Sequence, residues 1–188
     1  MISVIIPVYN ADKFIRQNYY NLSMQTDGEF EIIYINDGSE DESLAFLLDI
    51  KACDSRVKIL SQHNTGAMIA RINGIKESKF EYITFLDVDD TVDINFISDF
   101  KNNLLKGYDL IVTGFKIKEG GSYSNKNNIN SGIYSKNEYL LSVLSKSSWE
   151  LCGKAFNKKL FDIVDLPDRR LSVAEDTYIF IQVLLNLA

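Results

Sequence analysis

Residues 82–90 read YITFLDVDD, in which an apolar, β-rich run ends in three carboxylates within four positions. Open α/β sheets build ligand sites where buried strands deliver polar side chains to their C-terminal ends. Carboxylates this close repel each other unless a divalent cation lies among them or one of them stays protonated. The stretch therefore predicts a buried strand over 81–86 that leads into a site for a divalent cation and a phosphate-bearing ligand.

Strand-like and helix-like patterns alternate on both sides of this stretch, with short turns between them. That alternation is typical of βαβ units and predicts an α/β fold with a doubly wound, mainly parallel central sheet flanked by helices. The second half loses the alternation, and 118–132, rich in Gly, Ser, Asn and Lys, is predicted to be a loop. The predicted strands are 3–8, 30–35, 56–60, 81–86 and 108–113, and the predicted helices are 12–25, 41–52, 66–76, 94–105, 135–145 and 175–187.

Length and charge limit the possible functions. A chain of 188 residues, 46% of them hydrophobic, indicates one globular domain. The net charge is −6 and no basic patch stands out, which argues against binding to nucleic acid through its phosphates. An acidic protein that binds a diphosphate needs a cation to remove the repulsion, in agreement with the carboxylate cluster.

The cysteines and the chain ends suggest where the protein works. Cys53 and Cys152 lie far apart without metal-ligand spacing, which favours a reduced, cytoplasmic setting. The apolar start is short and lacks a basic leader, so it is predicted to be a strand rather than a signal peptide. No apolar run reaches membrane-spanning length. The sequence ends inside a helical pattern without a cap, and we expect it to be a piece of a longer protein.

Three strand ends are expected to converge on one crevice of the sheet. The first carries Pro7, which lacks an N–H and would end the ladder, and Tyr9, whose ring could stack on a base or simply lie half-buried. The second carries Asp37 before Gly38. Asp37 could accept a hydrogen bond from an imide N–H such as that of uracil, although the spacing alone favours a turn that caps the next helix.

The third strand end carries Asp87 and Asp89, which would share a face if the strand continued through them. Such an oxygen-rich site suits Mg²⁺ or Mn²⁺, which bind substrate phosphates through one or two carboxylates. His63 is the only histidine, so the chain cannot build a histidine-rich metal site. Glu175 and Asp176 form a last acidic pair at a helix start, where a carboxylate is favourable in any case.

The segment around 62–66 is a further candidate for the pocket wall. Gly66 opens a helix, and helix N-termini suit phosphates or polar ligand groups. Arg71 lies on that helix and either reaches inward or is a surface charge.

Taken together, these residues resemble family 2 glycosyltransferases of the GT-A fold, and the resemblance covers nearly the whole chain. It implies an inverting transfer of a hexosyl group from a nucleotide-diphosphate sugar, usually a UDP-sugar, to an acceptor hydroxyl, with Mn²⁺ or Mg²⁺ as cofactor. It also implies one GT-A-type domain, with a Rossmann-like nucleotide-sugar-binding half at 1–115 and an acceptor-side half at 116–188. The motifs that carry it are SVIIPVYN (3–10), NDGS (36–39), FLDVDD (85–90) and EDT (175–177).

The resemblance also implies roles by position. Tyr9 and Asp37 would hold the base, Asp87 would lie by the ribose or the metal, and Asp89 would ligate the metal. Asp176 would be the general base that takes the acceptor proton. The residues it adds to the donor pocket are Pro7, Gln62, Asn64, Gly66, Arg71 and Asn73, and those on the acceptor side are Trp149, at the start of 149–154, and Glu175.

The acceptor that the resemblance implies is a glycan or a lipid-linked glycan. The pathway would be bacterial cell-surface polysaccharide or glycoprotein synthesis, by fold-level analogy. Peripheral association with the inner face of a membrane would depend on a C-terminal part beyond this sequence.

Two alternatives from other classes remain at this point. FLDVDD also resembles the first motif of haloacid-dehalogenase-like phosphatases, with Asp87 as the nucleophile. That motif normally lies near the N-terminus, whereas here three strand units precede it. The second alternative is a non-catalytic module that binds nucleotide sugars, against which the presence of Asp87, Asp89 and Asp176 argues.

Overall fold

A computed structural model describes residues 1–114, 116–119, 122–125, 131–146, 148–162, 164–165 and 175–187. The helices are α1 Asp12–Ser23, α2 Ser43–Cys53, α3 Ala67–Glu77, α4 Phe96–Leu104, α5 Lys136–Lys146 and α6 Glu175–Leu185, with a 3₁₀ turn at Lys158–Phe161. The strands are β1 Ile2–Val8, β2 Phe30–Asp37, β3 Val57–Gln62, β4 Tyr82–Phe85, β5 Leu110–Val112, β6 Lys116–Glu119, β7 Ser122–Asn125 and β8 Lys154–Asn157.

Six strands form the central sheet in the order β3-β2-β1-β4-β8-β5. The first four in that order are mutually parallel, and β8 runs antiparallel to both of its neighbours. The predicted α/β fold with a mainly parallel sheet is therefore confirmed. The largely apolar sequences of β1 and β2 follow from burial on both faces, which is typical of parallel strands.

Helices cover both faces of the sheet, as expected of a doubly wound fold. Ile5 of β1 packs in the layer that contains residues of α3, α5 and α6. Its neighbours Val4 and Ile6 pack in the opposite layer, against α1, α2 and α4. This alternation follows from the two-residue period of a strand. None of the helices that the structure describes has the length and apolarity that a bilayer crossing requires.

Two parts of the second half differ from the sequence-based prediction. β6 and β7 pair in antiparallel orientation, and residues 118–119 and 122–125 of these strands fall within 118–132, where a loop was predicted. Residues 120–121 and 126–130 lie outside the described part. β8 was not predicted, because its four residues, KAFN, are all buried and show no polar alternation. All three of these strands are only four residues long, and short strands depend on their partners more than on their own pattern.

Pro7 acts on one ladder only. The pairing of β1 with β4 ends at Ile5 and Phe85, whereas the pairing with β2 continues to Val8 and Asn36. The prediction that Pro7 ends the ladder is thus correct on the β4 side and wrong on the β2 side. Beyond Ile5 and Phe85 the two segments are no longer paired, which leaves a crevice between the ends of β1 and β4.

The approach of α3 to the sheet depends on Gly74. A methyl group added there would overlap Cγ2 of Ile5 and lie 2.9 Å from Cδ1 of Ile35, and both isoleucines are fully buried. Overpacking of this kind typically costs about 1–3 kcal/mol, and the better helix propensity of alanine offsets about 1 kcal/mol. We expect Gly74→Ala to lower the free energy of unfolding by on the order of 1 kcal/mol, measured by urea denaturation.

Gly28→Ala is the matched control, since a methyl group there would meet only the Arg56 side chain, at 4.0 Å. Equal stability of Gly74→Ala and the unsubstituted protein would show that α3 does not pack as closely as described.

Candidate active site

The candidate site lies at the switch point of the sheet. From β1 the chain builds β2 and β3 on one side, and α3 then returns it to β4 on the other side. Ligands of open α/β sheets bind in the crevice at such a point. A pocket of about 150 Å³ occupies it, and its lining joins the three predicted strand ends: Pro7, Val8, Tyr9, Asp37, Ala67, Asp87, Val88 and Asp89.

Asp37 ties the end of β2 to the loop before α3. The residue is 3% exposed, and its carboxylate accepts hydrogen bonds from the backbone N–H groups of Thr65 (2.9 Å) and Gly66 (2.8 Å). The side chain of Gln62 donates a third, at 2.8 Å. The alternative in which this turn caps the next helix is therefore wrong for Asp37. Its carboxylate binds the loop before α3 and not the start of α2.

The side chains of that loop form a short chain of hydrogen bonds. Asn73 Nδ2 donates to Gln62 Oε1 at 2.8 Å, and Gln62 Nε2 donates to both Asp37 and Thr65. Gln62 and Asn73 therefore shape the pocket wall from behind. Asn64 is exposed on the loop, so its side chain is available to a ligand.

The carboxylate cluster lies on a turn and not on a strand. β4 ends at Phe85, and the N–H of Asp90 donates to the carbonyl of Asp87 at 3.1 Å. The argument that Asp87 and Asp89 share a face of a continuing strand is therefore wrong, although both line the pocket. Asn18 fixes the turn by donating to the same carbonyl at 3.3 Å.

The turn concentrates negative charge. Burial, together with the charges of Asp87 and Asp89, raises the pKa of Asp90 above its usual range. Ligand atoms of Asp87, Asp90 and Cys152 lie within 4.8 Å of one another. The carboxylate oxygens suit Mg²⁺ or Mn²⁺, which prefer hard ligands. Asp89 lies outside this group and is exposed at the pocket.

Cys152 is better described as a neighbour of the cluster than as a metal ligand. Burial and the charge of Asp87 raise the pKa of its thiol well above the usual range, so the sulfur stays protonated. A protonated thiol is a weak donor, and here its partner is the Asp87 carboxylate.

Arg71 connects the cluster to the last helix. Its side chain is 8% exposed, with NH2 2.6 Å from Asp87 Oδ1 and NH1 3.2 Å from Asp176 Oδ1. Burial opposes the charge of the guanidinium, but the two carboxylates outweigh it and raise its pKa. Of the two possibilities that the sequence left open, the inward one is correct. Asp176, 105 positions from Arg71 in the chain, is thereby held beside the pocket.

The acceptor-side residues are only partly brought together. Asp176 Oδ2 accepts a hydrogen bond from the N–H of Leu151 at 3.4 Å, which joins 149–154 to α6. Trp149 is half-buried against the apolar layer of α5 and α6 and does not line the 150 Å³ pocket. Glu175 begins α6, but its side chain lies outside the described part of the chain.

Sequence reasoning missed three contacts of this site, made by Asn18, Cys152 and Lys154. Asn18 lies on α1, and the other two fall in the 149–154 segment. Asn18 and Cys152 both contact Asp87, which lies far from them in the chain, so no spacing signal could have found these contacts. Lys154 contacts the carbonyl of Glu150 close by in the chain and the distant ring of Phe180, and only the fold brings the latter to it.

Comparison with known proteins identifies the fold and the family. The glycosyl transferase family 2 model matches residues 3–163. The chain belongs to glycosyl transferase family 2. Among curated relatives, glycosyltransferase GlyA of Streptococcus pneumoniae is 28% identical over 176 residues, which is 86% of this chain and 25% of GlyA. The chain thus spans about a quarter of that relative.

Solved glycosyltransferase structures with the same fold confirm the GT-A-type architecture of this chain. S. aureus TarS superposes with a TM-score of 0.83 at 21% identity, covering 98% of this chain and 55% of TarS. TarS has been solved with UDP and with UDP-GlcNAc. A mannosyltransferase of Pyrobaculum calidifontis, solved with GDP-Man and Mn²⁺, has a TM-score of 0.63 at 14% identity and covers 94% of this chain and 49% of its own.

The loop held by Asp37 depends on Gly38. Its φ is +73°, and a methyl group there would lie 2.8 Å from the backbone nitrogen of Asn64. Backbone strain of this type costs about 1–3 kcal/mol. We expect Gly38→Ala to destabilise the protein by about that amount and to speed amide exchange at Thr65 and Gly66, measured by hydrogen exchange with NMR detection.

The control is Gly107→Ala, where φ is +77° but no atom lies within 4 Å of the added methyl group. It should carry strain without disturbing the loop. Unchanged exchange at Thr65 and Gly66 in Gly38→Ala would mean that the close approach does not hold the loop in place.

Proposed function

We propose that this chain is the catalytic domain of an inverting glycosyltransferase that moves a sugar from a UDP-sugar to a hydroxyl group of a glycan or lipid-linked acceptor, assisted by Mn²⁺ or Mg²⁺. The observation that carries the proposal is the bridge from Asp87 through Arg71 to Asp176. It puts a carboxylate from α6 beside a pocket whose other walls suit a nucleotide diphosphate.

The base would lie between Tyr9 and Asp37. The Tyr9 ring is 49% exposed at the pocket and offers a stacking face. Asp37 Oδ2 takes one described hydrogen bond, from Gly66, and an ionised carboxylate oxygen can accept more than one. The imide N–H of uracil is a suitable further donor, and the UDP in TarS supports this choice of nucleotide.

The diphosphate would lie against the carboxylate turn, with the cation between them. Asp87 and Asp89 are the proposed ligands. Burial first, and then the charges of Asp87 and Asp89, raise the pKa of Asp90, and a cation would offset those charges. When bound, such an ion neutralises charge that develops on the departing diphosphate. The Mn²⁺ of the P. calidifontis mannosyltransferase supports this proposal.

Asp176 is the proposed general base. Arg71 holds one oxygen of its carboxylate, and the Leu151 N–H lies at the other. Each oxygen retains a lone pair that could accept the proton of an attacking hydroxyl. Attack on the face of the sugar opposite the diphosphate inverts the anomeric centre. Trp149 and Glu175 are proposed to contact the acceptor from 116–188, opposite the donor-binding half at 1–115.

Membership of family 2 argues against the phosphatase alternative, because the Asp-rich motif follows the fourth strand of the sheet. In addition, Asp87 is ion-paired with Arg71, which does not suit a nucleophile. The non-catalytic module remains an outcome of the tests below.

Nucleotide binding tests the donor site. We expect UDP to bind at least about tenfold more tightly than CDP, because the N3 of cytosine is an acceptor and would face the Asp37 carboxylate unpaired. The unsubstituted protein should bind UDP only with Mn²⁺ present. Asp89→Ala should lose most of the affinity for UDP, and its remaining binding should not depend on Mn²⁺. Isothermal calorimetry with and without Mn²⁺ measures both effects.

Asp49→Ala is the matched control, since Asp49 is exposed on α2. Equal affinities for UDP and CDP would contradict the role of Asp37. Binding that is independent of Mn²⁺ in both the unsubstituted protein and Asp89→Ala would contradict the metal site.

Removal of the base tests the chemistry. Asp176→Asn should keep UDP affinity and lower kcat by about 10²–10⁴-fold, the usual contribution of a general base. The measurement is UDP release from a panel of UDP-sugars with glycan and lipid-linked acceptors. A wild-type kcat in Asp176→Asn would refute the assignment. UDP binding without turnover in every pairing, including in the full-length protein, would favour the non-catalytic module.

A further inference from the structure

Lys154 is a buried cation in the middle of the sheet. It begins β8, which lies between β4 and β5, and it is 1% exposed. Lysine is almost never fully buried unless its ammonium has partners, because removing the charge from water is unfavourable. Lys154 has two partners, and both lie close to Asp176. They therefore suggest a role for Lys154 at the site as well as in stability.

The first partner is the carbonyl oxygen of Glu150, to which Lys154 Nζ donates a hydrogen bond. That carbonyl and the N–H of Leu151 belong to the same peptide unit. In a trans peptide the C=O and N–H point in opposite directions. An ammonium on the oxygen therefore directs the N–H the other way, where it meets Oδ2 of Asp176 at 3.4 Å.

The second partner is the ring of Phe180, whose centroid lies 4.8 Å from Lys154 Nζ. Phe180 lies one turn after Asp176 on α6, so the ammonium contacts both the peptide that faces Asp176 and the helix that carries it. A cation over an aromatic face is attracted to it, more strongly when desolvated. Lys154 thus sets the distance between 149–154 and the start of α6.

We propose that Lys154 is a positioning residue for Asp176, which it orients by holding the Glu150–Leu151 peptide with its N–H directed at the carboxylate. Arg71 restrains the same carboxylate through its other oxygen. The inference rests on the proposed function, in which Asp176 is the general base. It adds a residue that touches neither substrate nor metal.

The protonation of Lys154 agrees with this role. Burial lowers its pKa to about 8, and the charges of the nearby Glu150 and Asp176 oppose that fall. At neutral pH the side chain is therefore still an ammonium.

The test is a comparison of kcat with KM in Lys154→Met, which removes the charge and keeps a flexible side chain of similar length. We expect kcat to fall by on the order of 10²-fold, the effect of a misplaced catalytic group, with UDP affinity and donor KM within about twofold of the unsubstituted protein. Lys154→Arg, which keeps the cation, should restore part of kcat.

Lys158→Met is the matched control. Lys158 also donates to a backbone carbonyl, that of Ser78, at 2.9 Å, but away from Asp176. Its kcat should be unchanged. Lys154→Gln, neutral but with an N–H donor for the buried carbonyl, should lose kcat as Lys154→Met does, so the test does not depend on one variant folding.

Asp176→Asn and the double variant separate the two proposals. If Lys154 acts through Asp176, adding Lys154→Met to Asp176→Asn causes little further loss of kcat. A normal kcat in folded Lys154→Met or Lys154→Gln, or full additivity in the double variant, would overturn the positioning role alone. A normal kcat in Asp176→Asn would instead overturn the proposed function.

Discussion

A single buried guanidinium organises this site. Arg71 needs both Asp87 and Asp176, because a buried cation left with one partner is poorly compensated. The two carboxylates are partly exposed, 44% and 34% of their side chains, so solvent screens some of the attraction. The interaction matters chiefly as a geometric constraint, since it fixes the end of β4 against the start of α6. Asp87 itself lines the pocket, so the same bridge places Asp176 beside it.

The constraint depends on how closely α3 lies on the sheet. Gly74, three positions after Arg71, lets the helix approach Ile5 and Ile35, and Asp37 holds the loop that begins the helix. One helix therefore links the pocket wall at its N-terminus to the carboxylate bridge in its middle. Damage to the packing of α3 would reach the site without touching any residue that lines it.

The sequence predicted the first half well for a physical reason. Strands that are buried on both faces have nearly continuous apolar sequences, and a change to Asp, Asn and Gly marks where they end. The second half depends on partners instead. β8 is four buried residues that begin with Lys154, and only its pairing with β4 and β5 makes it a strand. The Asp87 and Asp89 geometry also failed as a prediction, because the strand ends at Phe85.

By itself, the sequence determined the parallel sheet, the order of its motifs, the family and the set of carboxylates available for chemistry, since each is a local pattern of burial and charge. Only the tertiary structure decided that Arg71 faces inward, that Asp176 meets it across 105 positions, and that Lys154 lies behind the peptide facing Asp176. These contacts join elements distant in the chain, and no residue spacing encodes which buried charge will face which carboxylate.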